Sequence, residues 1–262
     1  MCILLIAIDA MPEWPLLLLG NRDEFHERPS AGAAPWRGDA DCLGGLDLQA
    51  GGSWLAQRND GRFASVTNLR NGLPEKAVRS RGMLVREFVI GNTSVEDFAE
   101  RVLSDLDEYA PFNLVFGDRT GVCLIDGSSK TLQRLKPGIH VVGNGPFDST
   151  WPKIERLRTR FTKAMRSGDR DDNTFLSLLA DTTQPEDSDL PDTGVGADLE
   201  RVLAPIFIRG ERYGTRASTL AMRHEDGSVF LRERSFGPLG AAVDEVQWQC
   251  LNVDGEWELS DD

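Results

Sequence analysis

Cysteine stands second in this 262-residue chain, where removal of Met1 leaves a thiol and a free α-amine on one residue. Aminopeptidases remove an initiator methionine when the next residue is small, and cysteine qualifies. The amine titrates near ~7.7–8.0 and a thiol near ~8.5, so at neutral pH the amine serves as base for the thiol. A residue of this kind attacks an amide carbonyl without help from a histidine. The competing description of Cys2 is a small buried residue in a first strand, since cysteine is among the most buried types.

A second group with chemical content is Asn21-Arg22-Asp23-Glu24. Read as the end of a returning strand, it places these polar residues at a strand-to-loop junction beside Cys2. There Arg22 would lower the thiol pKa and Asp23 would accept a hydrogen bond from the α-amine. A solvated turn with an Arg–carboxylate pair is the plainer description. Asn68 and Asn144 each follow a β-like run, where an amide N–H can donate to a tetrahedral oxyanion or merely close a turn. Arg216, in Tyr213-Gly-Thr-Arg-Ala-Ser-Thr219, is placed to bind a carboxylate, to brace the site, or to lie on a surface strand.

Other chemistries are poorly served. The four Cys and three His include no C-x-x-C pair, no H-E-x-x-H and no zinc spacing. Neither a dinucleotide fingerprint nor a phosphate-binding loop occurs. With 42 acidic against 29 basic residues the net charge is −13, which opposes sequence-blind binding to nucleic acid or anionic membrane. Nothing reads as a signal peptide or a membrane span, so a reduced cytoplasmic protein is expected.

The elements that must position these residues follow from periodicity. Cys2–Ile8 and Leu16–Leu19 read as a hairpin, residues 26–52 as Gly- and Pro-rich loop, and Ser53–Gln57 with Arg62–Asn68 as a second hairpin closed by Asn59-Asp60-Gly61. Gly82–Ile90 and Thr93–Leu106 read as helices, the latter with a Thr93/Glu96 capping box. A meander of short strands runs over Phe112–Gly117, Gly121–Asp126, Thr131–Leu135 and His140–Gly143. Trp151–Met165 and Thr174–Ala180 return to helical period, and residues 181–200 read as an exposed, mobile acidic loop. Strands resume at Ile206–Ile208, Thr215–Met222, Ser228–Arg232 and Gln247–Val253. Sequential hairpins with segregated helices predict an α+β fold of mainly antiparallel sheets, in one domain spanning 1–262.

Taken together these motifs resemble the NRDE family, the transport and Golgi organisation 2 group. The resemblance rests on Met1-Cys2 followed by Asn21–Glu24, on Gly51-Gly-Ser-Trp-Leu55, Gly61–Arg70 and Ser80-Arg-Gly82, and on Phe112-Asn-Leu114 with Gly117-Asp118. It continues through Asn144…Trp151-Pro-Lys153 and Tyr213–Thr219. It implies a four-layer αββα sandwich of the N-terminal-nucleophile hydrolase type. The analogous choloylglycine hydrolase and penicillin acylase type carries Arg-Asn-x-Asp soon after its Cys. Here the order is Asn-Arg-Asp-Glu, so roles for Arg22 and Asp23 transfer only loosely, and Asn68, Asn144 and Arg216 match by order along the chain. The function expected is cysteine-dependent hydrolysis of a small acylated amine or amide, with no cofactor. The family's links to trafficking, lipid metabolism and haem mobilisation imply the alternative of a haem or lipid-type ligand carrier, with His26 as a conceivable axial ligand.

Overall fold

The computed structural model describes residues 3–72, 77–251 and 255–260. In chain order the strands and helices are β1 (Ile3–Met11), β2 (Trp14–Phe25), β3 (Ser30–Trp36), β4 (Asp39–Asp47), β5 (Leu55–Arg58), β6 (Phe63–Asn68), α1 (Gly82–Ile90) and α2 (Val95–Ser104). They continue with β7 (Phe112–Asp118), β8 (Gly121–Asp126), β9 (Thr131–Arg134), β10 (Gly138–Val142), α3 (Pro152–Ser167), α4 (Asp172–Leu179), α5 (Ala197–Leu203), β11 (Tyr213–Arg223), β12 (Val229–Phe236), β13 (Ala242–Cys250) and β14 (Glu258–Leu259).

Two seven-stranded sheets result. The first runs β10-β1-β2-β11-β12-β13-β14 and the second β3-β4-β5-β6-β7-β8-β9, with antiparallel pairing throughout. Strand alternation sorts side chains into three cores. Leu4, Ile6 and Leu18 of the first sheet meet Leu43, Phe63 and Leu124 of the second between the sheets. On the outer face of the first sheet, Ile3, Leu5 and Leu19 meet Phe161, Phe175 and Leu179 of α3 and α4. Val66, Leu114 and Phe116 meet Phe88, Phe98 and Val102 of α1 and α2 on the outer face of the second. Each sheet is thus covered on both sides, which gives the expected four αββα layers.

Several expected elements are corrected. Residues 26–52 are not loop, because they carry β3 and β4 along the edge of the second sheet. The 112–143 meander splits: β7, β8 and β9 continue the second sheet, whereas β10 crosses to pair with β1. Ile206–Ile208 lies in no strand. Two of its backbone groups are used by side chains, the Ile206 carbonyl by Asn21 and the Ile208 N–H by Thr215, and others bond to loop and strand backbone at Asp181 and Thr215. The cap of α2 is Ser94, which accepts from the Asp97 N–H at 3.0 Å, rather than Thr93. The acidic 181–200 stretch is not simply exposed loop, since it runs into α5 and buries Glu200 against Arg70. Among the described residues no helix is long and apolar enough to cross a membrane.

Candidate active site

Leu16 to Leu19 do lie in a strand, which begins at Trp14, but Asn21–Glu24 is no strand-to-loop junction. The motif lies inside β2, a strand of 12 residues. It stays extended because β11 pairs along its length, with Ser218 opposite Asn21, Ala217 opposite Arg22 and Thr215 opposite Asp23. Period-2 alternation then divides the motif between two faces. Asn21 is fully buried on the helix side: its Nδ2 donates to the Leu179 and Ile206 carbonyls at 2.9 and 2.8 Å. Its Oδ1 accepts from Ser218 Oγ at 2.6 Å. Asn21 therefore fastens the end of α4 and the 206 segment to the sheet. Asp23 shares that face, accepting from Thr215 Oγ1 at 2.6 Å.

Arg22 faces the other way, between the sheets. Its guanidinium lies over Trp54, 4.4 Å from the ring centroid, and the residue is only 4% exposed. Burial draws its pKa down, opposed by Glu24 and Asp47. Beside it opens a cavity of about 260 Å³, lined also by His26, Trp54, Arg216, Glu233 and Pro238. Arg216 reaches this cavity because the pairing of β11 with β2 slips between Thr215 and Ala217. Such a bulge puts two consecutive residues on nearly one side, and both Arg216 and Ala217 line the cavity. Arg216 Nη1 also donates to the Phe25 and Arg28 carbonyls, at 3.0 and 2.8 Å, so it braces the turn after β2.

Asn144 forms a separate hub where the two sheets approach. Its Nδ2 donates to the Asn68 carbonyl at 2.9 Å, its Oδ1 accepts from Lys153 Nζ at 3.1 Å, and its own carbonyl accepts from the Arg70 N–H at 2.7 Å. Asn68, the last residue of β6, thus contributes its backbone oxygen here. Arg70 pairs with buried Glu200 at 2.8 Å and stacks on Trp151 at 4.9 Å, while Lys153 also donates to the Leu203 carbonyl at 3.3 Å. The structure therefore brings Arg22 and Arg216 together at the cavity and Asn68 and Asn144 together at the sheet junction.

Cys2 lies outside the described residues. Cys42 and Cys123 are buried free thiols and Cys250 is buried as well; burial pushes Cys42 up to about 12 and raises Cys123, so neither of these two is primed as a nucleophile. His26 has Nε2 against the Gly210 carbonyl at 3.2 Å. Burial, followed by Arg216, lowers its pKa, which favours the neutral ring.

Trp54 and Lys153 stand within the family motifs without an assigned role, and Glu233 lies outside them. Glu233 had a readable signal: it falls in phase with Val229 and Leu231 on the inward face of β12, where an apolar residue is the rule. Its carboxylate accepts from the Ala33 N–H at 2.8 Å, across to the second sheet, and from Thr219 Oγ1 at 2.7 Å. Trp54 had no such signal; its ring fills the space left by Gly45, where a Cβ would collide with it. Lys153 sits near the N-terminus of α3, a place where a buried cation has no local signal.

The family described as transport and Golgi organisation 2 matches residues 1–238. The transport and Golgi organization protein 2 homolog of Bos taurus is 27% identical, over 95% of this chain and 96% of its own. The Homo sapiens homolog is 28% identical over 90% and 93%, and the Drosophila melanogaster protein 26% over 98% and 95%. Among solved structures, the R18L variant of a conjugated bile acid hydrolase from Clostridium perfringens superposes with a TM-score of 0.54 at 9% identity, covering 100% of this chain and 97% of that one. A C2A mutant of the same hydrolase gives 0.51 at 10%. At such identity the likeness is one of fold, the αββα sandwich of N-terminal-nucleophile hydrolases.

Proposed function

The chain belongs to the transport and Golgi organisation 2 family, and from that premise we propose that it is an amidohydrolase acting through Cys2 on a small acylated amine or amide. The thiol passes its proton to the α-amine of the same residue while sulfur bonds to the amide carbonyl carbon. The tetrahedral oxyanion collapses, the C–N bond breaks, and the leaving amine takes the proton back from the α-ammonium. Water then attacks the thioester with the α-amine as base, releasing a carboxylic acid and restoring the thiol. Arg22 lowers the thiol pKa, and Asp23, oriented by Thr215, orients the amine. Asn144 supplies an N–H to the oxyanion, with Asn68 holding it in place, and Arg216 braces the strand end.

One observation carries this reading. Ile3 pairs with Asn21 in β2, and Leu4 with Val142 in β10. Each step back along β1 is a step forward on both flanking strands, so beyond the Ile3 level the chain presents Arg22 on one side and Asn144 on the other. A cation and an amide beyond the N-terminal end of β1 are what an N-terminal thiol would need there.

Intact-mass measurement before and after a thiol-reactive acyl donor tests it. The expected result is a chain without Met1 that gains one acyl group and loses that capacity in Cys2→Ala. Retention of Met1 would block the amine and overturn the mechanism. A Soret shift on haem titration that survives Cys2→Ala and disappears in His26→Ala, with no acyl transfer, would assign a haem or lipid-type carrier instead.

A further inference from the structure

Two guanidiniums in one cavity are a local exception in a chain of net charge −13. Arg22 is nearly fully buried at the cavity wall, and among the described residues its Nη1 is buried without a hydrogen-bond partner. Buried donors without partners are rare and costly, about 1–3 kcal/mol each and more for charged groups. Trp54 offsets part of that cost through its ring face, but a ring accepts no directed bond from Nη1. Three of the carboxylates nearby are already committed, while Asp244 also lines the cavity. Asp47 takes Arg28 at 2.6 Å, Glu24 lies 3.7 Å from Arg28, and Glu233 is taken by Ala33 and Thr219. Burial raises the Glu233 pKa, so it does less to cancel the two cations.

We propose that this cavity is a carboxylate-binding subsite, in which Arg22 and Arg216 receive the anionic group of a small ligand while Phe236, Pro238 and Val243 cover its apolar part. The inference rests on the amidohydrolase reading and narrows it: the substrate amide carries a carboxylate away from the bond that is cleaved. A volume of about 260 Å³ falls just under the ~300–1,000 Å³ of pockets for drug-sized molecules, which suits a short acid or one end of a longer molecule. Asp244 at the rim disfavours a second negative charge there.

Calorimetric titration of the full-length Cys2→Ala protein tests the proposal, with hexanoate, hexanamide and hexylamine as probes. Hexanoate is expected to bind at least tenfold more tightly than either the neutral or the cationic analogue. Arg216→Gln, at a partly exposed position, is expected to remove most of that preference, and Arg22→Leu all of it if that protein folds. Equal binding of the three probes, no binding of hexanoate, or a preference unchanged in Arg216→Gln would overturn it. Because Cys2→Ala lacks the nucleophile, failed hydrolysis with intact hexanoate binding counts against the enzyme reading alone. Hydrolysis without hexanoate preference counts against the subsite alone.

Discussion

Arg22 lies over the Trp54 ring, and Gly45 leaves the space that the indole ring occupies. The guanidinium carbon is 4.4 Å from the ring centroid, and a Cβ at position 45 would lie only 2.1 Å from an indole carbon. A desolvated cation on an aromatic face gains about 2 kcal/mol, so the cavity wall depends on a residue with no side chain in a neighbouring strand.

Gly45→Ala is therefore expected to tilt Trp54 and loosen Arg22, at about 1–3 kcal/mol of stability. Denaturant melts would give the loss, and a shift in tryptophan emission relative to Trp54→Phe would locate it. An unchanged melt and spectrum would mean that the ring has room to spare.

Asn21→Ala removes both bonds to the Leu179 and Ile206 carbonyls and strands Ser218 Oγ. A loss of about 2–4 kcal/mol is expected. Limited proteolysis should cut first within residues 180–208, because Asn21 ties that segment to the sheet. Cleavage elsewhere would count against the fastening role.

Glu233→Gln should reveal the cost of a buried carboxylate. Burial raises the folded-state pKa of Glu233 against the opposing effects of Thr219, the Ala33 N–H and Arg22. The folded protein thus holds a proton that the unfolded chain releases near pH ~4.3, and stability falls as pH rises from there through the raised value. The variant is expected to be at least as stable as the parent at pH 8, with the two converging near pH 4. A gap that widens in acid would contradict it.

Asp181 titrates in the opposite sense. Arg156 at 2.6 Å, Arg160 and the Thr183 N–H at 2.8 Å hold its pKa well below the usual carboxylate range, despite burial. Its contribution is complete above ~3.9 and disappears as pH falls through the depressed value. Asp181→Asn should cost about 2 kcal/mol at pH 7, the order of one charge-assisted bond, and should flatten acid unfolding. A constant difference from pH 7 to pH 2 would remove the carboxylate from the explanation.

The two asparagines should separate in the acyl-transfer assay. Asn144→Ala removes the N–H offered to the oxyanion, so transfer to Cys2 should fall about 10²–10³-fold. Asn68→Ala keeps the backbone carbonyl that Asn144 uses and should fall much less. Equal losses would mean that Asn68 acts through its own amide.

Local sequence was sufficient wherever short-range physics decides. The hairpin of β5 and β6 follows from alternation around Asn59-Asp60-Gly61, and α1, α2 and α3 follow from their apolar stripes. Burial alternates along β12 and puts Glu233 in phase with Val229 and Leu231, one residue past the Ser228–Arg232 strand that the sequence predicts. The family motifs pointed to the αββα layers, and the two sheets with their outer helices bear this out.

Burial of polar residues was decided elsewhere. Asn21–Glu24 reads as a strand-to-loop junction because its side chains are polar, yet it remains strand because β11, nearly 200 residues on, supplies its ladder. Asn21 is held by carbonyls at Leu179 and Ile206, and Asn144 meets Asn68 across two sheets. A buried polar group is stable only beside a partner, and a partner brought in from so far along the chain leaves no periodic trace around the residue it satisfies. Periodicity could therefore outline the layers, while the division of the motif into a fastening Asn21 and a cavity-facing Arg22 had to wait for the folded chain.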